Sequence, residues 1–427
     1  MLGPPSISFA EYSVSSKNGF LPDEAPLQSL PNSYYQPWET AISQIHKFLS
    51  SSTFRQTADS LPILTTAHLT NVREWQRAYL ILSFFTHAYI WESGGPSERL
   101  PPQISIPFLE VAAHFGLPPT ATYSAFNLWN WAPISPEASL ADPNNLRCLH
   151  TFTNTIDEEW FYLISVAMEA HGATIIPLMV SAIDGCCTQN SHLILGALTK
   201  FGYVVREIGV LLKRMNEKCD PMVFFHQIRP FLAGSKDIGA AGLPRGVFYS
   251  EDEGMGEGAE EKGEWRMYSG GSNAQSSLIQ FLDTVLGVDH THPKSPTSNS
   301  KPNFLSQMRA YMPAPHRAFL TTLSSLSPGS SPIRDYASTS TIPDLVDAYN
   351  FAVKELENFR TVHIGIVMRY IIMPSKRSDP LSGNPGPNIV VASSGKEKEL
   401  KGTGGTELLP FLRGVRDETR DTAIVER

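Results

Sequence analysis

The feature that most constrains this chain is the spacing of its apolar residues, which is helical almost from end to end. Trp38, Ile42, Ile45 and Leu49 recur at three- and four-residue steps, as one face of a helix does. Residues 72–93 form a second, longer segment of this kind, rich in Trp, Leu, Phe and Tyr. Residues 160–173 are apolar on most sides, which predicts a buried helix. Residues 193–215 carry Leu195, Leu198, Phe201, Val205, Ile208 and Leu212 at mixed steps, and shorter helical segments are expected over 223–232, 274–286 and 304–312. The last long segment has Pro343 in its first turn, a favoured place for proline, and runs to about Met373, roughly 46 Å at 1.5 Å per residue. Strand-like alternation is scarce, with 246–249 the one short candidate.

The expectation is therefore an all-α fold: a large helical domain over 119–427 and a smaller, mainly helical domain over 1–118 that begins with a Pro- and Ser-rich arm. The prolines at 118 and 119 mark the boundary. Residues 251–264 read as an acidic, Gly-rich insert and 290–302 as a polar loop. Residues 375–405 form a long Pro-, Gly- and Ser-rich stretch between apolar segments, a candidate lid that orders when ligand binds.

Composition narrows the function. With 34 Lys+Arg against 42 Asp+Glu the formal net charge is -8, which argues against a broad nucleic-acid surface. The four cysteines contain no CxxC pair, which points to a reducing, cytoplasmic setting. The adjacent Cys186 and Cys187 read as two small buried hydrophobes. The N-terminus has neither a basic stretch nor an apolar core of a leader, and the apolar run 79–91 is too short to cross a bilayer, so no membrane association is expected.

Among twelve histidines, His290-Thr291-His292 opens a polar stretch and reads as a solvated loop rather than a metal site. His363 differs: Leu356, Phe359, His363, Ile366, Val367 and Tyr370 share one face of the last long helix. Two readings stand for that imidazole. One is a core histidine satisfied by one hydrogen bond, which periodicity alone favours. The other is a single axial ligand to haem iron, which needs a neutral imidazole on a rigid element beside an apolar cavity. Arg360, one turn earlier on nearly the same face, could pair with a propionate. The turn Gly270-Gly271-Ser272-Asn273 precedes a helix and suits close approach of an anion or flat ligand, and Gly402-Thr403-Gly404-Gly405 is a second such run. No GxSxG elbow and no recognisable cysteine nucleophile is present.

Several stretches, taken together and in order, resemble the indoleamine 2,3-dioxygenase family. They are Phe224-Phe225-His226-Gln227-Ile228-Arg229-Pro230-Phe231-Leu232-Ala233-Gly234, the Gly270-to-Ser277 turn, Met308-Arg309-Ala310-Tyr311-Met312-Pro313-Ala314-Pro315-His316-Arg317, the segment around His363, and Lys401-Gly402-Thr403-Gly404-Gly405-Thr406. The resemblance covers roughly 123–412. It implies haem b, ferrous in the active state, with His363 as proximal ligand and Arg360 and Asp283 as support for a propionate. It implies that Phe224 packs on the indole, that Arg229 holds the substrate carboxylate, and that Tyr123, Phe126, Phe161 and the hydroxyl of Ser165 form the pocket wall. Gly271, Ser272 and Asn273 would face the haem edge and the substrate, and Thr403 the substrate amine. His226 should face away from this group, about 200° from Phe224 on a helix. Asn273 stands where animal members often carry alanine, and Phe126 where a smaller residue is also found; both bear on substrate preference. The implied reaction is O2 insertion across the indole C2=C3 bond of L-tryptophan to N-formylkynurenine, the first step of the kynurenine route to NAD, by a monomer served by a cellular reductant. The alternatives are a haem protein that binds or senses O2, or a low-activity paralogue, on the same fold.

Overall fold

The computed structural model describes residues 7–236, 242–252, 262–290, 304–377 and 408–425. The principal helices are α1 (Val72–Trp91), α2 (Pro102–Phe115), α3 (Ile156–Gly172), α4 (Ile176–Thr188), α5 (Ser191–Lys213), α6 (Ser277–Leu286), α7 (Ala314–Ser325), α8 (Pro343–Val367) and α9 (Leu408–Asp421). Three short helices, Gln36–Ser43, Ile45–Ser50 and Phe54–Asp59, precede α1. The fold is all-α, as the periodicity predicts.

Strand is confined to two small sheets. β1 (Arg99–Leu100) lies parallel to β4 (Val247–Ser250), which pairs antiparallel with β5 (Gly263–Arg266); β2 (Trp131–Pro133) and β3 (Leu146–Cys148) form an antiparallel ribbon. The expected strand is thus present one residue later than the sequence suggests, and its partners were not foreseen. At two to four residues each they are too short to show an alternating pattern.

The helices start where their caps allow. Asn71 accepts hydrogen bonds from the N–H groups of Arg73 and Glu74 at the start of α1. α3 opens on Thr155-Ile156-Asp157-Glu158: the Thr155 hydroxyl accepts from Glu158 N–H, and the buried Glu158 carboxylate accepts from the N–H groups of Phe152 and Thr153. This is a variant of the reciprocal box in which the acid reaches beyond the cap residue. The run 156–188 is long and apolar enough to cross a membrane, but most of it is buried within the protein, and a 3-10 turn at Ala173–Ile175 splits it into α3 and α4.

α5 packs along α8, and α9 lies against α8. The N-terminal arm is packed on the large helical body: Phe20 meets Phe281 of α6 and His316 and Phe319 of α7. Residues 118–121 are pinned by side chains from both sides. Tyr79 Oη donates to the carbonyls of Pro118 and Thr120, and Tyr249 Oη to that of Pro119.

Two local expectations fail. Cys187 is exposed and Cys186 half-buried, because both fall in the last turn of α4, beyond its buried face; all four cysteines are free thiols. His290 is not solvated: its ring bridges Asp283, at 3.2 Å, and Glu418, at 2.7 Å. His292 lies outside the described residues, as do 253–261 of the acidic insert and 378–407, which hold most of the proposed lid.

Candidate functional site

Three π-turns contribute to one cavity. The first, Ser124–Leu128, follows the pinned segment; the second, Phe224–Ile228, interrupts the short helix before Leu232; the third, Met368–Ile372, ends α8. Each is closed by an i→i+5 bond: Trp129 N–H to Ser124, Arg229 N–H to Phe224, and Met373 N–H to Met368. In the second the geometry has a direct consequence. On an α-helix Phe224 and Arg229 would lie about 140° apart, whereas the wider π-turn brings residues five apart towards one face. Both line the cavity, and His226 does not.

The cavity has a volume of about 170 Å³ and adjoins a second of about 90 Å³, with which it shares Tyr123, Ser165, Asn273 and His363. Phe161, from α3, stands 4.9 Å from Phe224 between ring centroids, and Phe224 meets Tyr370 edge-on at 5.8 Å. Phe126 stacks on Tyr162 at 5.4 Å with planes 12° apart. Gly271 is held to glycine by this ring, since a Cβ there would press on Phe126. Gly234 and Gly270 pack backbone to backbone, a contact that any side chain would break, so the segment carrying Arg229 is docked on the glycine turn. Gln275 completes the joint: its Oε1 accepts from Tyr123 N–H at 2.9 Å and its Nε2 donates to the Gly270 carbonyl at 2.9 Å.

The polar groups of the cavity are few. Arg229 is 4% exposed, and burial pulls its guanidinium down to about 10, which still leaves it cationic at neutral pH. Ser165 is buried against the same space. Glu169, one turn further along α3, is buried at the wall of the second cavity, where it accepts from Tyr123 Oη at 2.9 Å and Ser276 Oγ at 2.6 Å. Burial raises its carboxyl to about 7 despite those two bonds. The phenol of Tyr123 is itself raised well above its usual range, by burial and then by Glu169. Glu169 was not anticipated, although one acid in the apolar run 160–173 was a visible signal. Asn127 also lines the cavity and was missed, because the irregular turn at 124–128 has no periodicity to read; Leu232, at the end of the short helix after Arg229, lines it too.

His363 faces both cavities from α8. Burial, and then Arg360, lowers its imidazole to about 4, so the ring is neutral, and among the described residues no hydrogen bond engages it. Arg360 lines the second cavity, pairs with Asp283 through Nη2, and leaves a buried Nε without a partner. Burial alone would raise the Asp283 carboxyl, but Arg360 and His290 hold it below its usual range. His290, which burial alone would lower, is raised to about 9, chiefly by Asp283. Asp283 and Arg360 are therefore brought together as expected, with an extension through His290 to Glu418 of α9 that was not. Gly271, Ser272 and Asn273 line the cavity, and Thr403 lies outside the described residues.

These residues fit a haem. A neutral imidazole without a protein hydrogen bond faces an aromatic, apolar slot, and one turn away a buried guanidinium has a donor to spare for a carboxylate. Among the described residues no group of three or more His, Cys, Asp or Glu is arranged to hold a bare metal ion. Fold and site together define a helical protein with a single-histidine cofactor cavity and a buried cation. The family profile described as Indoleamine 2,3-dioxygenase matches residues 8–422. The chain is 38% identical to the Aspergillus candidus indoleamine 2,3-dioxygenase acdA, over 97% of each chain, and 39% identical to the Saccharomyces cerevisiae indoleamine 2,3-dioxygenase, over 97% of this chain and 94% of that one. It is 37% identical to the 6-hydroxytryptophan 2,3-dioxygenase fscD of Fusarium equiseti, over 96% of each. The chain belongs to the indoleamine 2,3-dioxygenase family and is a haem-type dioxygenase by that membership.

Proposed function

We propose that this enzyme cleaves the indole C2=C3 bond of L-tryptophan with O2 to give N-formylkynurenine, the entry to the kynurenine route towards NAD, as a cytoplasmic monomer served by a cellular reductant. The observation that carries the reading is the pairing of Phe224 and Arg229 on one π-turn, in the same cavity as His363. An O2 carrier has no use for a buried cation beside an aromatic slot, whereas an amino acid substrate supplies both an indole and a carboxylate.

The chain's own residues do three things in this scheme. Arg229 takes the carboxylate, ideally through two parallel N–H bonds, which fixes the substrate's orientation. Phe224, Phe161 and Phe126 hold the indole plane and keep water out, so that much of the barrier is removed by positioning. His363 would hold the haem from α8, with Arg360 and its Asp283 partner beside a propionate and the turn 271–273 at the edge. When bound, haem supplies the O2 activation that a closed-shell ring cannot provide for itself. No side chain is needed as a base, because the indole is electron-rich enough to react as it stands.

The test is aerobic turnover of L-tryptophan by haem-loaded, reduced protein, read by product mass, beside a His363→Ala control. A product heavier by two oxygen atoms, absent in the control, supports the reading. Haem uptake without product from any indole amino acid would move the assignment to O2 binding or sensing.

A further inference from the structure

The C-terminal helix α9 is a wall of both cavities, and it is held on unevenly. Leu408, Phe411 and Leu412 line the first cavity; Phe411, Leu412 and Val415 line the second, with His363 and Arg360. Beyond the helix the chain is tied down by directional bonds. Asn350 of α8 exchanges hydrogen bonds of 2.8 and 2.9 Å with the backbone of Ile424, and Arg334 Nε donates to the Thr422 carbonyl at 3.2 Å. The half over the cavities is held by apolar contact, with Phe411 meeting Phe304 edge-on at 5.0 Å. Glu418 lies between these two parts, one turn past Val415 on the same face. Arg416 and Arg420 pair with acids of α9 itself, whereas Glu418 reaches out of the helix to His290 at 2.7 Å.

The other nitrogen of His290 stands 3.2 Å from Oδ2 of Asp283, whose Oδ1 pairs with Arg360. One carboxylate thus serves two cations, and charge alternates from the cavity to the helix through Arg360, Asp283, His290 and Glu418. The side chains of His290 and Asp283 are 10% and 7% exposed, so removing either end of the His290–Glu418 pair leaves a charge poorly solvated. We propose that the His290–Glu418 pair is a latch that holds α9 closed over the haem cavity, so that haem leaves and enters by the opening of α9. His290 and Glu418 are then positioning residues for cofactor retention. The proposal rests on the haem reading above. The charged groups that face His290 are Asp283 of α6, Glu418 of α9 and, across the Asp283 carboxylate, Arg360 of α8, while Asp289 and Arg309 line the polar cavity beside it. The two acids outweigh Arg360 and burial and raise the imidazole to about 9. The latch is therefore charged at neutral pH and weakens as pH rises through that value.

The experiment follows haem transfer from the loaded, oxidised protein to an excess of haem-free globin, for the native chain, Glu418→Gln and His290→Arg. Glu418→Gln keeps the shape and removes the charge, and should speed haem loss roughly tenfold at neutral pH, the yield of one charge-assisted hydrogen bond. Hydrogen exchange along 408–421 should quicken in the same variant, because the helix opens more often. Native protein should lose haem faster as pH rises through about 9. His290→Arg keeps a permanent cation between the two acids, and the cavity of about 260 Å³ beside it gives room for the longer side chain. It should lose haem slowly and without that rise, which a merely structural role for His290 would not produce. Equal rates of haem loss in native protein and Glu418→Gln overturn the latch. So does faster loss with unaltered exchange along 408–421, since the charge would then act on the haem through Arg360 and not by holding the helix. A His290→Arg protein that follows the native pH rise overturns it as well. Haem uptake without these differences refutes the latch alone, whereas no haem uptake by the native chain refutes the haem reading beneath it.

Discussion

The most demanding prediction concerns Arg229→Met. The folded chain holds this guanidinium 4% exposed, and burial lowers its pKa from 12.5 to about 10. That shift comes from burial alone, and it disfavours the charge. At about 1.4 kcal/mol per unit, the ligand-free protein carries about 3 kcal/mol of electrostatic strain at neutral pH, where the unfolded chain is fully protonated. Independently of that cost, removing one partner of a buried, hydrogen-bonded charge pair costs about 2–5 kcal/mol of binding. Methionine fills a similar volume without charge. We expect KM for L-tryptophan to rise about 100-fold, equivalent to about 3 kcal/mol, while haem uptake persists and urea unfolding of the ligand-free protein shows equal or greater stability. Steady-state kinetics and chemical denaturation on the same preparation check both halves. An unchanged KM would refute the carboxylate clamp, and a loss of stability above about 2 kcal/mol would show that Arg229 is there to hold the fold.

Two further predictions use the buried titratable groups. His87 donates from Nδ1 to the Phe231 carbonyl at 2.6 Å, and its Nε2 accepts from Ala121 N–H at 3.1 Å; burial lowers it to about 4. A depressed histidine resists protonation when folded, so stability is lost as pH falls below 6.5, by about 2 kcal/mol between pH 7 and 5. His87→Gln should remove about that much of the acid sensitivity in urea midpoints, and an unaltered slope would count against it. Glu169 has the opposite sign. Its carboxyl is raised from 4.5 to about 7, so the folded state binds more protons and stability falls as pH rises through that window. Glu169→Gln should gain up to about 3 kcal/mol at pH 8 relative to pH 5, and no gain would mean that the carboxylate is better solvated than its setting implies.

What the sequence made legible follows from what repeats. The long helices announce themselves because an apolar stripe several turns long has one period, and α1, α3, α5 and α8 lie close to where that period places them. His363 and Arg360 were readable on one face of α8 for the same reason. The alternatives for His363 could not be separated on periodicity. A core histidine and an iron ligand share one burial pattern, and the difference is whether a protein acceptor meets the ring. His290 was misread because its partners, Asp283 and Glu418, are 7 and 128 residues away, and a local pattern holds no trace of them.

The cavity itself escaped the pattern for a deeper reason. Part of its lining, Phe126, Asn127, Phe224, Tyr370 and Ile371, comes from three places where the helical period is broken, each by a single wide turn. A π-turn shifts the phase of every residue after it, so Phe224 and Arg229 read as unrelated on a helical projection and become neighbours only once the turn is known. Regular helices supply Phe161, Ser165 and His363, and the wide turns add what their period does not bring together. Three- and four-residue spacing produces a stripe suited to packing against another helix, and a stripe closes up. Opening a slot for a flat ligand while keeping the helices continuous requires a local change of period. The second break sets Arg229, whose N–H closes the turn, on the same side as Phe224.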